Sequence, residues 1–366
     1  MKRLESLDAL RGFDMIFIMG GASLLAAIAA LFPDSHVWNI IGLNMDHVEW
    51  EGLRHHDTIF PLFLFIAGVT WPFSLQNQIE KLRTPRQIYL KVVRRGLMLV
   101  LLGLFYNGLL EFHFSTLRFC SVLSRIGLGW MFAALIFTKV KPLRWRAAIV
   151  ALILLGYWAV MATRLAPDAA GADIFSKQGS IACWIDRTVL GAHCFQPGVY
   201  DPEGLLSTIP AIVTALLGML SGEWIKNEKV SPARRALCLF VAGVAMAVVG
   251  WAWNFVFPIN KALWTSSFVC AVAGYSLVML SVFYYIIDVR GWRKWAKFFV
   301  VIGLNSITIY MAQRFALIDG VQHQVFDGFI NLFPEALRRV AEEVSWIASC
   351  WIFLYILYRK KIFLKV

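Results

Sequence analysis

Charge is scarce in this chain. Acidic and basic residues make up 16% of its 366 residues, against 59% hydrophobic. A soluble domain is about a quarter charged, so an ordinary soluble enzyme and a disordered polypeptide are both excluded. Cysteine is sparse as well, six in all, too few and too scattered to staple a small secreted fold. No CxxC and no His/Cys pair has metal-ligand spacing, so no metal is expected. Gly-rich phosphate loops of the Walker type are missing, and a nucleoside triphosphatase is unsupported. There is no low-complexity tract, no long linker and no convincing internal repeat of the kind that marks inverted-repeat transporters. Nor is there a cleavable leader pattern: residues 1–12 carry both signs of charge, and the apolar block behind them has full spanning length.

What the chain does have is apolar blocks of bilayer-spanning length. With soft edges they run 13–32, 57–74, 94–111, 117–138, 145–165, 204–222, 234–256, 266–288, 297–317 and 339–358. Fifteen Trp and 28 Phe accompany them, many near block ends, where interfacial aromatic belts sit. The expected fold class is all-α: a polytopic membrane helical bundle of about 10–11 transmembrane helices, in one domain covering 1–366. The net charge of +12 is distributed between blocks rather than on one face, which argues against nucleic acid. Alternate segments hold about 25 of the 35 basic residues, from Lys2 and Arg3, through Lys81–Arg95, to Arg359–Lys365. The segments between them are acidic: Asp46, Glu49, Glu51 and Asp57 in one, Asp168, Asp173, Asp186, Asp201 and Glu203 in another. Positive residues stay inside, so both termini are expected in the cytoplasm and the basic loops against anionic lipid.

Several polar groups stand out against this background. Asp46 to Asp57 is dense in titratable side chains, and His47 can take and return a proton near neutrality. A solvated loop explains the same composition. Asp57 opens the second span, where a carboxylate caps free N–H groups and suits the helix dipole; orienting a histidine ring is compatible with that. Asp14 follows Arg11 by three residues, which an ion pair on one helix face explains. Arg125 lies inside the fourth span, where a charge is expensive and marks a functional site by default, with an anionic ligand or Asp14 as its partner. Asn305 sits in the ninth span, where hydrogen bonding between helices is the plainer reading. Asp201 and Glu203, around Pro202, read as an ordinary helix start or as a hold on a cationic substrate. Asn260 and Trp264 belong to a short outer turn whose indole could stack on a sugar or sit in the interface. Arg94 and Arg95 close a basic inner loop, set there by topology or by a phosphate-rich cofactor. Cys183 and Cys194 share the long outer segment, either as a disulfide or as two thiols.

Taken together, several segments resemble the transmembrane N-acetyltransferases related to heparan-α-glucosaminide N-acetyltransferase and their bacterial DUF5009-type relatives. The matching pieces are Ser6-Leu7-Asp8-Ala9-Leu10-Arg11-Gly12-Phe13-Asp14-Met15, His47-x-x-Trp50-x-Gly52-Leu53-x-x-x-Asp57-x-Ile59-Phe60-Pro61 and Leu123-x-Arg125-Ile126. Tyr200-Asp201-Pro202-Glu203-Gly204-Leu205-Leu206-Ser207-Thr208-Ile209, Pro258-x-Asn260-Lys261-x-Leu263-Trp264-Thr265, Asp288-Val289 and Gly303-Leu304-Asn305-Ser306-Ile307 follow in family order. Each is weak alone, but the ordered set is specific. The resemblance implies transfer of acetyl from cytoplasmic acetyl-CoA to the amino group of a glucosamine-type sugar across the membrane, the bacterial inner membrane here. It places the family's catalytic histidine on His47, as general base or transient acetyl carrier, with Asp57 behind it. Arg94, Arg95, Arg125, Asn305 and Asp14 would then serve the cofactor, and Asp201, Glu203, Asn260 and Trp264 the sugar. A homodimer is compatible with it. Two other readings stay open: an O-acyltransferase on an envelope glycan, and a secondary transporter of amino sugars.

Overall fold

The computed structural model describes residues 4–314 and 318–364. Lys2, Arg3 and Lys365, counted above toward the inner side, lie outside the described residues, as does the expected outer end of the ninth span at 315–317. Among the described residues all regular structure is helical and there is no strand, only two isolated bridges. In chain order the helices are α1 (Glu5–Ile16), α2 (Ala22–Ala30), α3 (His36–Asn44), α4 (His55–Glu80), α5 (Pro85–Tyr106), α6 (Val122–Lys139), α7 (Leu143–Thr163) and α8 (Ile181–Val189). They continue with α9 (Thr208–Ile225), α10 (Pro232–Trp253), α11 (Ser266–Phe283), α12 (Ala296–Gly303), α13 (Ser306–Arg314), α14 (Asp319–Ile330) and α15 (Glu335–Arg359).

Among the described residues eight helical stretches are long and apolar enough to cross a membrane. A ninth is counted if α12 and α13, bent by 64° at their junction, form one broken span. The expected 10–11 exceeds this count, and its lower end is met when α5 is added. The difference lies largely in α5, which at 22 residues would reach about 33 Å. Arg86, Lys91, Arg94 and Arg95 on its first half exceed what an apolar window tolerates.

Local sequence sets the boundaries. Thr84 caps α5 and Gln87 reaches back to it, with Pro85 in the first turn. Ser121 Oγ accepts from Ser124 N at 3.0 Å to start α6. The sixth span begins at Thr208, not at 204 as expected. The reason is Asp201, whose Oδ1 accepts from Glu203 N (2.9 Å) and whose carbonyl takes Gly204 N (3.0 Å), so the chain turns tightly before the helix. The outer segments expected as loops hold α3 and α8, helices too short to span.

The helices gather into two compact units. The first comprises 1–48, 54–59 and 279–365. Its main contact is α1 on α12. There Gly12 lies against the Phe299 carbonyl and Gly303 against the Asp8 carbonyl, an approach that no larger residue permits. Between α1 and α2 the chain forms one π-turn, Phe17–Gly21, and kinks at Gly20, whose φ of 119° is open to glycine alone without strain. The second unit comprises 49–53 and 60–278. Its core runs along α4, α6, α9 and α11, with Trp71 edge-to-face on Trp130 at 5.3 Å and Trp264 between Phe60 and Phe268. Many exposed large hydrophobics lie on α5, α7, α10 and α15, as lipid-facing helices require.

Gly12→Val should drive a branched side chain into the Phe299 carbonyl and destabilise the protein by about 1–3 kcal/mol. Gly156→Ala on α7, which meets nothing within 4 Å, should leave stability unchanged or raise it. Thermal unfolding in detergent separates the two.

Candidate functional site

In the first unit the chemistry centres on His47 and Asp57. His47 follows the loop after α3, and Asp57 lies in the first turn of α4. The imidazole Nδ1 stands 2.7 Å from Asp57 Oδ1. The other carboxylate oxygen accepts from Arg54 N at 3.2 Å and from Val48 N at 3.4 Å. Asp57 thus caps the start of α4 and holds the histidine ring with one side chain. Arg54 Nη1 donates to the His47 carbonyl (2.8 Å), fixing the backbone beneath the ring. The His56 ring meets His47 edge-on at 4.5 Å. The Asp57 side chain is 1% exposed, that of His47 51%. A buried carboxylate therefore accepts from Nδ1–H, and the neutral tautomer so favoured carries its lone pair on Nε2. This is the arrangement of a general base with an orienting acid.

Asp14, on α1 of the same unit, is buried, and its Oδ2 has no hydrogen-bond partner. The ion pair expected between Arg11 and Asp14 is replaced by one with Asp8, at 3.8 Å, one turn the other way. Asn305, at the break between α12 and α13, has its amide committed to the end of the chain: Nδ2 donates to Ile362 O (3.0 Å) and Oδ1 accepts from Leu364 N (3.2 Å).

In the second unit the polar groups form a network that centres on two arginines. Arg118 donates to both oxygens of Asp201, at 2.8 and 2.6 Å, and also to Glu203. Burial works against this guanidinium, yet the hydrogen bonds from Asp201 and the charge of Glu203 raise its pKa. Asp201 and Glu203 are thus neutralised from within the chain. Arg125, 1% exposed on α6, donates to Ser207 Oγ and to the Gly204 carbonyl (3.4 Å). Its Nε and Nη1 are buried without partners. Its guanidinium lies 4.8 Å from the centre of the Trp264 ring. Trp264 is fully buried, so it is neither an exposed stacking platform nor part of an interfacial belt. Its φ of +50° puts a bulky residue in the left-handed region, held by Trp264 Nε1 donating to Thr214 Oγ1 (3.2 Å). Asn260 builds the same turn through Oδ1, which accepts from Leu263 N (2.9 Å), while its Nδ2 is a further buried donor without a partner. Three orphaned N–H groups around one turn ask for a ligand rich in oxygen acceptors. On α5, Arg95 lies over Trp130 at 4.3 Å and Arg94 is exposed, so these neighbours face different surroundings.

Sequence reasoning did not single out Arg118. The signal was an arginine in an outer segment, where positive residues are few, next to a segment rich in acids. Asp186 was noted only as part of that acidity. It is buried on α8 and accepts from Leu205 N at 2.9 Å. Cys183 and Cys194 are free buried thiols, and Cys194 Sγ donates to the Asp186 carbonyl at 3.4 Å. Among the described residues no cluster of His, Cys, Asp and Glu is arranged to hold a metal.

No protein-family model matches the chain. It is 27% identical to heparan-alpha-glucosaminide N-acetyltransferase of Homo sapiens over 426 aligned positions, which take in the whole chain and 60% of that protein. Against the protein of the same name from Mus musculus it is 27% identical over 383 positions, 87% of the chain and 56% of that protein. The chain is thus similar to the heparan-alpha-glucosaminide N-acetyltransferases along most of its length. It spans 60% or less of the length of these curated relatives. The eight long apolar helices among its described residues fit a multi-pass integral membrane protein.

Arg118→Met would leave Asp201 and Glu203 buried and unpaired, and should cost about 3–5 kcal/mol in thermal unfolding. Arg187→Met, whose partner Asp168 is exposed, should cost about 1 kcal/mol or less. Asp186 gives a pH test. Burial pushes its carboxyl up to about 6, against 3.8 ordinarily, with Asp201 adding to the shift and the Leu205 N–H opposing it. Between those values the folded state holds a proton that the unfolded chain has lost. The stability this group contributes is therefore full below about pH 3.8 and is lost as the pH rises through 6. Asp186→Asn should flatten that slope and raise the Tm at neutral pH, as scans across this window will read.

Proposed function

We propose that this protein transfers acetyl from cytoplasmic acetyl-CoA to the amino group of a glucosamine-type sugar on the opposite side of a bacterial inner membrane. The observation that carries this is the hydrogen bond between the half-exposed His47 ring and the buried Asp57 carboxylate. The similarity to N-acetyltransferases supplies the reaction class. Both termini and the basic loops lie in the cytoplasm on this reading, and His47 on the far side.

Acetyl transfer to an amine forms a C–N bond and breaks the thioester C–S bond. The electron pair of the broken bond leaves on sulfur, and the amine must lose a proton. His47 Nε2 takes that proton, Asp57 stabilises the imidazolium that results, and the thiolate leaves as CoA, protonated in turn. Asp57 holds its ring partner whether or not substrate is bound, so no reorganisation is needed at the moment of transfer.

The cofactor side falls to the arginines. Arg94 and Arg95 attract the phosphates of CoA to the cytoplasmic end, and Arg125 offers buried donors to the oxygens of its arm. Asn260 adds a donor beside Trp264 for the sugar. Asp201 and Glu203 serve the sugar side through Arg118, which they hold in place. Asp14 and Asn305 serve the cofactor within the first unit.

The test uses purified full-length protein with labelled acetyl-CoA and glucosamine. Wild type should produce N-acetylglucosamine, and His47→Ala should lose about 10²–10⁴-fold in kcat. Asp57→Asn should lose about tenfold or more in kcat with KM little changed, because the amide can accept from Nδ1 but brings no charge. Full activity in His47→Ala would remove the histidine from the chemistry.

A further inference from the structure

Lys177 lies between α7 and α8, and its ammonium meets aromatic faces instead of a carboxylate. Nζ stands 5.3 Å from the centre of the Trp50 ring and 5.2 Å from that of Tyr200. The two rings meet edge-to-face, 5.3 Å apart at 90°. All three residues belong to the second unit.

The corner is built without help from the lysine. Trp50 Nε1 donates to the Phe175 carbonyl (2.8 Å), and Gly52 N to the Ile259 carbonyl (2.8 Å). Tyr200 is tied to Gln196, whose N donates to the Tyr200 carbonyl (3.1 Å). Phe175 packs in turn on Phe257 at 5.3 Å. Tyr200 is buried, and Trp50 and Lys177 are half-buried, so the corner stays accessible. Two rigid rings that converge on one cation, with no acid in ion-pair reach of it, make a receptor for ammonium. The cation now in place sits on a flexible four-carbon stem, which can leave.

The geometry points to Trp50 and Tyr200 as an ammonium-binding cage that the protein fills with its own Lys177 until a protonated primary amine displaces it. The ligand class is the ammonium form of an amino sugar, whose apolar ring face also suits an indole. This deepens the proposed function and rests on it for the amine acceptor. An N-acetylated product is neutral and has no claim on the ring faces, so the return of Lys177 favours its release.

The experiment is equilibrium titration of the full-length protein in detergent, at a pH where the sugar amine is protonated. The probes are glucosamine, glucose and N-acetylglucosamine. Lys177→Met should empty the cage and tighten glucosamine binding by about 2–30-fold, leaving glucose and N-acetylglucosamine unchanged. Lys177→Arg keeps a competing cation and should bind glucosamine no more tightly than wild type. Trp50→Leu should erase the preference for glucosamine over glucose. If Lys177→Met leaves glucosamine binding unchanged, or weakens all three sugars alike, Lys177 is a strut for the outer segment and the cage is refuted. Acetyl transfer is measured in parallel. Transfer by variants whose glucosamine affinity never moves would overturn the cage and spare the acetyltransferase reading. Ammonium-selective binding in a protein that transfers no acetyl would do the reverse.

Discussion

A carboxylate at the start of a long apolar helix has to satisfy free backbone N–H groups, and in this protein the same carboxylate holds a histidine. Asp57 accepts from Arg54 N with one oxygen and meets His47 Nδ1 with the other. Helix entry and ring orientation are thereby one event. The cost of burying the charge is offset by backbone donors that would otherwise be orphaned at the helix end. The His47 ring remains half-exposed. A ring held this way is fixed in tautomer and direction.

The outer part of the second unit solves a related problem with more charges. Asp186, Asp201 and Glu203 are buried together, and Arg118 neutralises two of them. Asp186 has no basic partner of that kind, and burial pushes its carboxyl up to about 6. Arg125 completes the set but touches only a hydroxyl and a carbonyl, and lies over an indole. Its charge is buried more fully than these partners justify, which on the proposed function suits a group kept for a ligand. The strain at Trp264 points the same way, since a left-handed tryptophan persists only where its surroundings over-determine it.

Much of this was legible in the sequence. The apolar blocks gave an all-helical membrane protein, since spanning length and local charge act through nearest neighbours in the chain. The resemblance put a base on His47 with Asp57 behind it, and the two side chains, ten residues apart, do meet in one hydrogen bond. Arg118 was not readable, because its partners lie 83 and 85 residues away and no spacing rule reaches that far. The bend between α12 and α13 has no proline to announce it. Trp264 looked like an interfacial residue, and only the tertiary packing of Phe60, Phe268 and Arg125 shows that it is core. The two thiols of the outer segment could not be assigned from separation alone, because pairing depends on where α8 turns Cys183.

The central claim is that an acetyl group crosses while its carrier does not, and one measurement addresses it directly. Protein is reconstituted in one orientation in liposomes that enclose labelled acetyl-CoA on the side of the basic loops, with glucosamine supplied only on the other. The expected result is labelled N-acetylglucosamine outside with CoA retained inside, dependent on His47. Product that forms only when acetyl-CoA and glucosamine share a compartment, or glucosamine that enters the liposomes unmodified, would contradict it.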